Sequence, residues 1–111
     1  MNPKVKQMNK FVKFLVFNNV IGITLAPFGI YIREGYFRDK TINHEKIHWK
    51  QQMEMLILPF YIWYITEFII RIFINGNNAY RKISFEQEAY KHENDFNYIG
   101  NRKKFSWLKF L

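Results

Sequence analysis

The run from Met55 to Ile74, reading MLILPFYIWYITEFIIRIFI, is the feature that most narrows what this chain can become. It has the length of a membrane-crossing helix. Pro59 interrupts it, and Glu67 and Arg71 would each cost on the order of 2.5–3.5 kcal/mol near the centre of a bilayer. Thr66, Glu67 and Arg71 form a narrow polar stripe and leave most of the helix circumference apolar. A helix of this kind is either central to a small core or partly in lipid. The mean hydropathy of the whole chain, −0.28, favours the core. The expectation is a buried helix, with peripheral membrane contact as the alternative.

Just before that run lies His44-Glu45-Lys46-Ile47-His48, which reads H-E-x-x-H. Residues four apart share one face of a helix, so His44 and His48 can hold one ion together. Zinc accepts neutral imidazole nitrogens at tetrahedral angles. Glu45, beside the first His, can take a proton from a metal-bound water as that water attacks a peptide carbonyl. Zn2+ is therefore the expected cofactor, Glu45 the expected catalytic base, and a peptide or protein the expected substrate. The surroundings suit a helix. Asp39 and Thr41 are candidate N-caps, no Gly or Pro occurs from Ile42 to Leu58, and Pro59 should end or kink the element.

A catalytic zinc usually takes three protein ligands and keeps one open position. Cysteine is absent, so the third ligand must be another side chain. Glu54 would be rotated away from both His on a continuous helix. Glu67 could return opposite His48 if Pro59 marks a helical hairpin, although Arg71 at i+4 offers it an ordinary ion pair. Glu86 and Glu88 lie in a segment where Ser84 and Gln87 suggest a capping box. Helical periodicity puts Phe85, Ala89, His92, Phe96 and Ile99 on one stripe, with Glu86 and Glu88 on either side of it. Spacing alone does not choose among Glu67, Glu86 and Glu88.

These residues resemble those of gluzincin-type metallopeptidases, in which a Glu on a later helix completes the site. In the membrane-embedded prenyl-protein and heat-shock zinc proteases that Glu begins an E-x-x-A-D pattern. Here Glu86 and Ala89 match, and Tyr90 stands where the Asp would be. The gap from His48 to Glu86, 38 positions (86 − 48), is similar to that of the antibiotic-sensing zinc proteases. The run from Thr41 to Tyr98 also resembles small H-E-x-x-H proteins of Bacteroidetes-type bacteria and their phages, through Ile42 to His48, Leu58 to Tyr61 and Phe85 to Tyr90. The resemblance implies zinc on His44, His48 and Glu86, and the base role for Glu45. Glu67 and Glu88 remain the alternative ligands, and His92 or Tyr90 the candidate oxyanion stabilisers.

One domain is expected over residues 1–111, with 1–10 and 101–111 as basic tails. The fold class expected is α+β, minimal and zincin-like: a short N-terminal β-ribbon, then three helices. Val20 to Leu25 and Phe28 to Arg33 read as its strands, separated or bulged at Pro27 and Gly29. A strand of that ribbon could align a substrate backbone by strand addition. The net charge of +8 and the 20% aromatic content admit an anionic membrane or nucleic acid as partner, the latter less favoured, or simply solvated ends. With no signal peptide evident and no Cys, a cytoplasmic location is expected, with membrane association as a variant of it. The rival to a peptidase is a non-catalytic zinc protein, or a membrane-surface or nucleic-acid binding module. Oligomeric state is not legible.

Overall fold

A computed structural model of the chain describes residues 2–16 and 18–111; Met1 and Phe17 lie outside the described residues. It is α+β, as the sequence suggests. A three-stranded sheet consists of β1 (Val5–Gln7), β2 (Gly22–Leu25) and β3 (Gly29–Ile32) in the order β1-β3-β2. β2 and β3 form the expected antiparallel hairpin, with Ile23 opposite Tyr31. β1 pairs parallel to β3, Lys6 opposite Tyr31. The basic N-terminus is therefore partly sheet rather than a solvated tail. Three residues are too few to show a strand period, and their partner lies far along the chain. Ile30 and Ile32 alternate with half-buried Tyr31 and put one face of β3 into the core.

Four helices do most of the remaining work. α1 (Lys10–Leu15) is short and is capped by Asn9, whose Oδ1 accepts from Val12 N at 2.8 Å. α2 (Asp39–Glu54) carries the H-E-x-x-H sequence and packs on β2 and β3 through buried residues that include Ile47. α3 (Leu58–Asn75) is the apolar run, and its one buried charge is Glu67. The one-turn α4 (Ala79–Lys82) leads into α5 (Ser84–His92). A further turn, α6 (Tyr98–Asn101), and a final 3-10 segment (Ser106–Phe110) close the chain.

Three expectations need correcting. Neither Asp39 nor Thr41 caps α2: its N-cap is Arg38, without a side-chain cap bond, and Asp39 sits in the first turn, where the helix dipole favours it. Pro59 does not end the metal-motif helix. That helix stops at Glu54, and Leu56 and Ile57 turn the chain at positive φ. Pro59 then opens α3, where its missing N–H costs nothing. Most consequentially, α3 is not buried. Phe60 joins Ile83, Phe85 and Trp107 in a core cluster, while Ile62, Ile65, Ile69, Ile72 and Phe73 face outwards.

The C-terminal tail is also structural. Trp107 is in that cluster, and Arg102 is buried between two carboxylates. Its guanidinium donates in parallel to Glu54 Oε1 and Oε2, both at 2.9 Å, and to Glu88 Oε2 at 2.6 Å. Burial disfavours the charged form of Glu88, but Arg102, Tyr98 and Gln51 outweigh it and hold the carboxyl below its usual range. Removing the cation would strand two buried acids. Arg102→Met is expected to lower stability by about 3–5 kcal/mol, read from the urea midpoint, because it breaks a buried pair without replacing the charge. A loss below about 1 kcal/mol would mean that these carboxylates are hydrated and the pair is dispensable.

Candidate metal centre

α2 is continuous through its motif, so His44 and His48 stand one turn apart on the face turned to α5. Glu86, in the first turn of α5, meets them. The three form a buried group that can hold a metal ion. His44 Nε2 and His48 Nε2 are 3.2 Å apart, and Glu86 Oε1 lies 3.3 Å from the first and 3.1 Å from the second. Ligand bonds of 2.0–2.1 Å at tetrahedral angles separate neighbouring donors by about 3.3 Å. The triangle already has the dimensions of three corners of such a site.

Each ligand is oriented from behind. Gln51 Nε2 donates to Phe85 O and Glu88 Oε1, both at 3.0 Å, which fixes its Oε1 as an acceptor. That oxygen lies 2.7 Å from His48 Nδ1. His48 Nδ1 is thus the outer, protonated nitrogen, and Nε2 is the nitrogen that faces the centre. His44 Nδ1 donates to Glu93 Oε1 at 2.8 Å, which sets the same tautomer there. Tyr64, from α3, donates to Glu86 Oε2 at 2.8 Å and leaves Oε1 for the ion. Carboxylates and amides in these outer positions hold ring orientation and raise ligand basicity.

The other candidates are placed elsewhere. Glu67 accepts from Ser84 N at 2.6 Å and Ser84 Oγ at 2.7 Å. It caps α5 from α3, and Arg71 approaches it at 3.9 Å. The capping box is therefore not formed: Ser84 spends its hydroxyl on Glu67, and Gln87 donates to Lys82 O and Phe110 O. Glu88 faces Arg102 and Tyr98. The Tyr90 ring packs edge-on against His44, with centroids 4.6 Å apart, under the Arg81 guanidinium. His92 stacks on Tyr98 at 3.7 Å. The expected stripe on α5 ends there, because the chain turns after His92 and Phe96 is exposed. Glu54 binds Arg102, in keeping with its rotation away from the two His.

Glu45 points to the opposite side of α2 from Glu93, towards β2. Thr24 Oγ1 lies 2.8 Å from Glu45 Oε1 and 2.9 Å from Glu45 O. Gly22 leaves room for the carboxylate, since a Cβ there would come 3.2 Å from Glu45 Oε2. A largely apolar cavity of about 300 Å3 opens over this side, lined by Glu45, His48 and Glu86 together with Ile23, Phe60, Tyr61 and Tyr80. Burial, with Glu86 and Tyr90 adding to it, pushes the Tyr80 hydroxyl far up, so it stays a neutral donor. No family model, curated protein or solved structure matches this chain, so the reading of the site rests on its geometry.

Sequence reasoning missed Glu93, Gln51, Tyr64, Thr24 and Tyr80. Two of these carried a local signal. Gln51 stands three residues after His48, and Glu93 seven after Glu86, both same-face helical spacings. Glu93 supplies a carboxylate behind His44 from one residue past the end of α5. Thr24, Tyr64 and Tyr80 reach the site only through the tertiary fold.

Two outcomes follow from this geometry. Burial works to lower the His48 pKa, but Glu86, then Glu45 and Gln51, prevail and raise it to about 9. The metal-free protein therefore carries a proton on His48 at pH 7, below that pKa, and a metal must displace it. Metal uptake at pH 7 is expected to release about one proton, seen as an apparent calorimetric enthalpy that scales with the ionisation enthalpy of the buffer. An enthalpy independent of buffer would contradict the protonated state. Glu93→Gln keeps an acceptor beside His44 Nδ1 but removes its charge, and should weaken metal affinity by roughly 10–100-fold in a competition titration with a chromophoric chelator.

Proposed function

We propose that this protein is a zinc-dependent peptidase in which His44, His48 and Glu86 hold the ion and Glu45 activates the attacking water. The observation that carries the reading is that Glu45, braced by Thr24, borders the same cavity as His48 and Glu86. A base one residue from a ligand, on the open side of the ligand triangle, is the arrangement that deprotonation of a bound water requires. Zinc is favoured among divalent ions by two imidazoles, one carboxylate and donor spacings suited to tetrahedral bonds.

A purely structural zinc would need a fourth protein ligand. Glu67 and Glu88, the residues that could have closed the site, are taken up by Ser84 and Arg102. Tyr80, whose hydroxyl is bonded to Tyr90, borders the cavity and is the candidate donor for a developing oxyanion; His92 lies against Tyr98, and Tyr90 is packed on His44. β2 offers a place for the substrate backbone. Ile21 O accepts from Arg33 N, so by antiparallel alternation residues 22, 24 and 26 point away from β3 along the sheet edge. Gln52 occupies Thr24 O and Ala26 N, and the edge at Gly22 runs beside Glu45. An extended peptide added there would bring its carbonyl past the cavity.

Metal content by mass spectrometry comes first: about one zinc per wild-type chain is expected, lost in His48→Ala and Glu86→Ala. Glu45→Gln should then keep its zinc while cleavage of fluorescein-labelled casein falls by roughly 10²–10⁴-fold, the usual contribution of a positioned base. Wild-type protein that takes up no zinc on reconstitution would overturn the reading, and an unimpaired Glu45→Gln variant would remove Glu45 from its role.

A further inference from the structure

We propose that α3 and the C-terminal segment together form a docking surface for an anionic lipid bilayer, whatever chemistry the metal centre performs. α3 is long and apolar enough to cross a membrane, yet one side of it is fixed to the protein. Tyr64 bonds Glu86, Glu67 caps Ser84, and Phe60 lies in the core cluster. Those attachments exclude a helix surrounded by lipid. The opposite side is apolar and uncovered: Ile62 is 60% exposed, Ile65 57%, Ile69 51% and Phe73 87%. A helix whose charged side is used up by its own protein, and whose other side is Ile and Phe broken by Thr66, whose hydroxyl donates back to Ile62 O at 2.8 Å, matches an element lying in the plane of a membrane interface.

The chain end lies alongside. Trp63 of α3 meets Trp107 edge-to-face, with ring centroids 5.3 Å apart. Around Trp107, exposed Phe105, Leu108 and Leu111 alternate with exposed Lys103, Lys104 and Lys109. The combined surface has cationic side chains and no exposed acidic side chain. The one carboxylate of α3 is Glu67, turned inwards onto Ser84, and residues 102–111 contain neither Asp nor Glu. This charge pattern selects the occupant. A second copy seated on the same surface would bring its own lysines against these, whereas anionic headgroups neutralise them while the apolar side chains enter the acyl boundary.

The test is flotation of the full chain with phosphatidylcholine vesicles, with and without phosphatidylserine. Binding is expected to be stronger with phosphatidylserine, to weaken as salt is added, and to blue-shift tryptophan emission through Trp63. Replacing Ile65, Ile69 and Phe73 together by Ser should abolish flotation, while circular dichroism and urea unfolding stay close to wild type. Lys103→Ala, Lys104→Ala and Lys109→Ala should each reduce the advantage of phosphatidylserine vesicles about fivefold. Wild-type protein that floats with neither vesicle would overturn the proposal, as would serine-substituted protein that is folded and floats normally. A dimer formed without lipid and abolished by the serine substitutions, with no vesicle binding, would assign the surface to a second copy instead and equally overturn it.

Discussion

The packing of α2 against α5 is a polar interface in the middle of a small protein, and the rest of the structure is arranged around it. Besides Glu54 on Arg102, five carboxylates have roles here, Glu45, Glu67, Glu86, Glu88 and Glu93, and all five residues are buried. Each would be intolerable without partners, and each has them. Glu86 meets two imidazoles and Tyr64, Glu88 meets Arg102, Tyr98 and Gln51, and Glu93 meets His44 and Lys40. Glu67 takes the buried, otherwise unpaired amide at the start of α5, and Glu45 takes Thr24. A run of contacts leads from His48 through Gln51 and Glu88 to Arg102 and Glu54, so ligand orientation and the docking of the chain end belong to one hydrogen-bonded unit. Such networks fix a single arrangement when every member is satisfied.

Without a metal, the centre holds together by proton sharing. Glu86 is disfavoured as an anion by burial, but His48 and His44 outweigh that and keep its carboxyl ionised well below the usual range. His48 in turn keeps its proton because that anion is beside it. A bound cation would neutralise the same buried carboxylate that the His48 proton does, at donors 3.1–3.3 Å apart.

Glu86 entered only through a resemblance, whereas the fold class, the two hairpin strands, the motif helix and the pairing of His44 with His48 were legible in the sequence. They depend on local periodicity and on a motif whose spacing carries its own geometry. Choosing Glu86 over Glu67 and Glu88 was not possible from spacing. It depends on which side of α5 faces α2, and contacts from distant parts of the chain hold that side: Phe85 in the core cluster, Ser84 on Glu67, and Glu88 on Gln51 and Arg102. β1 was hidden because a three-residue strand with a lysine before it and another within it shows no period. The burial of α3 was misjudged for a different reason. Apolar composition says that a surface must leave water, but not whether protein or lipid will cover it. Within the narrow polar stripe of Thr66, Glu67 and Arg71, Glu67 is the buried residue, turned onto Ser84.

The two sides of α3 obey different rules of sequence drift. Outward positions such as Ile65 and Phe73 are constrained only by how greasy they are, so Leu, Val or Met could replace them singly without a compensating change. Tyr64 and Glu67 have no such freedom, because each is half of a bond whose other half lies on α5. In any set of relatives gathered for this chain, position 64 should therefore vary together with 86, and 67 with 84, while the residues between them wander independently through the aliphatic alphabet.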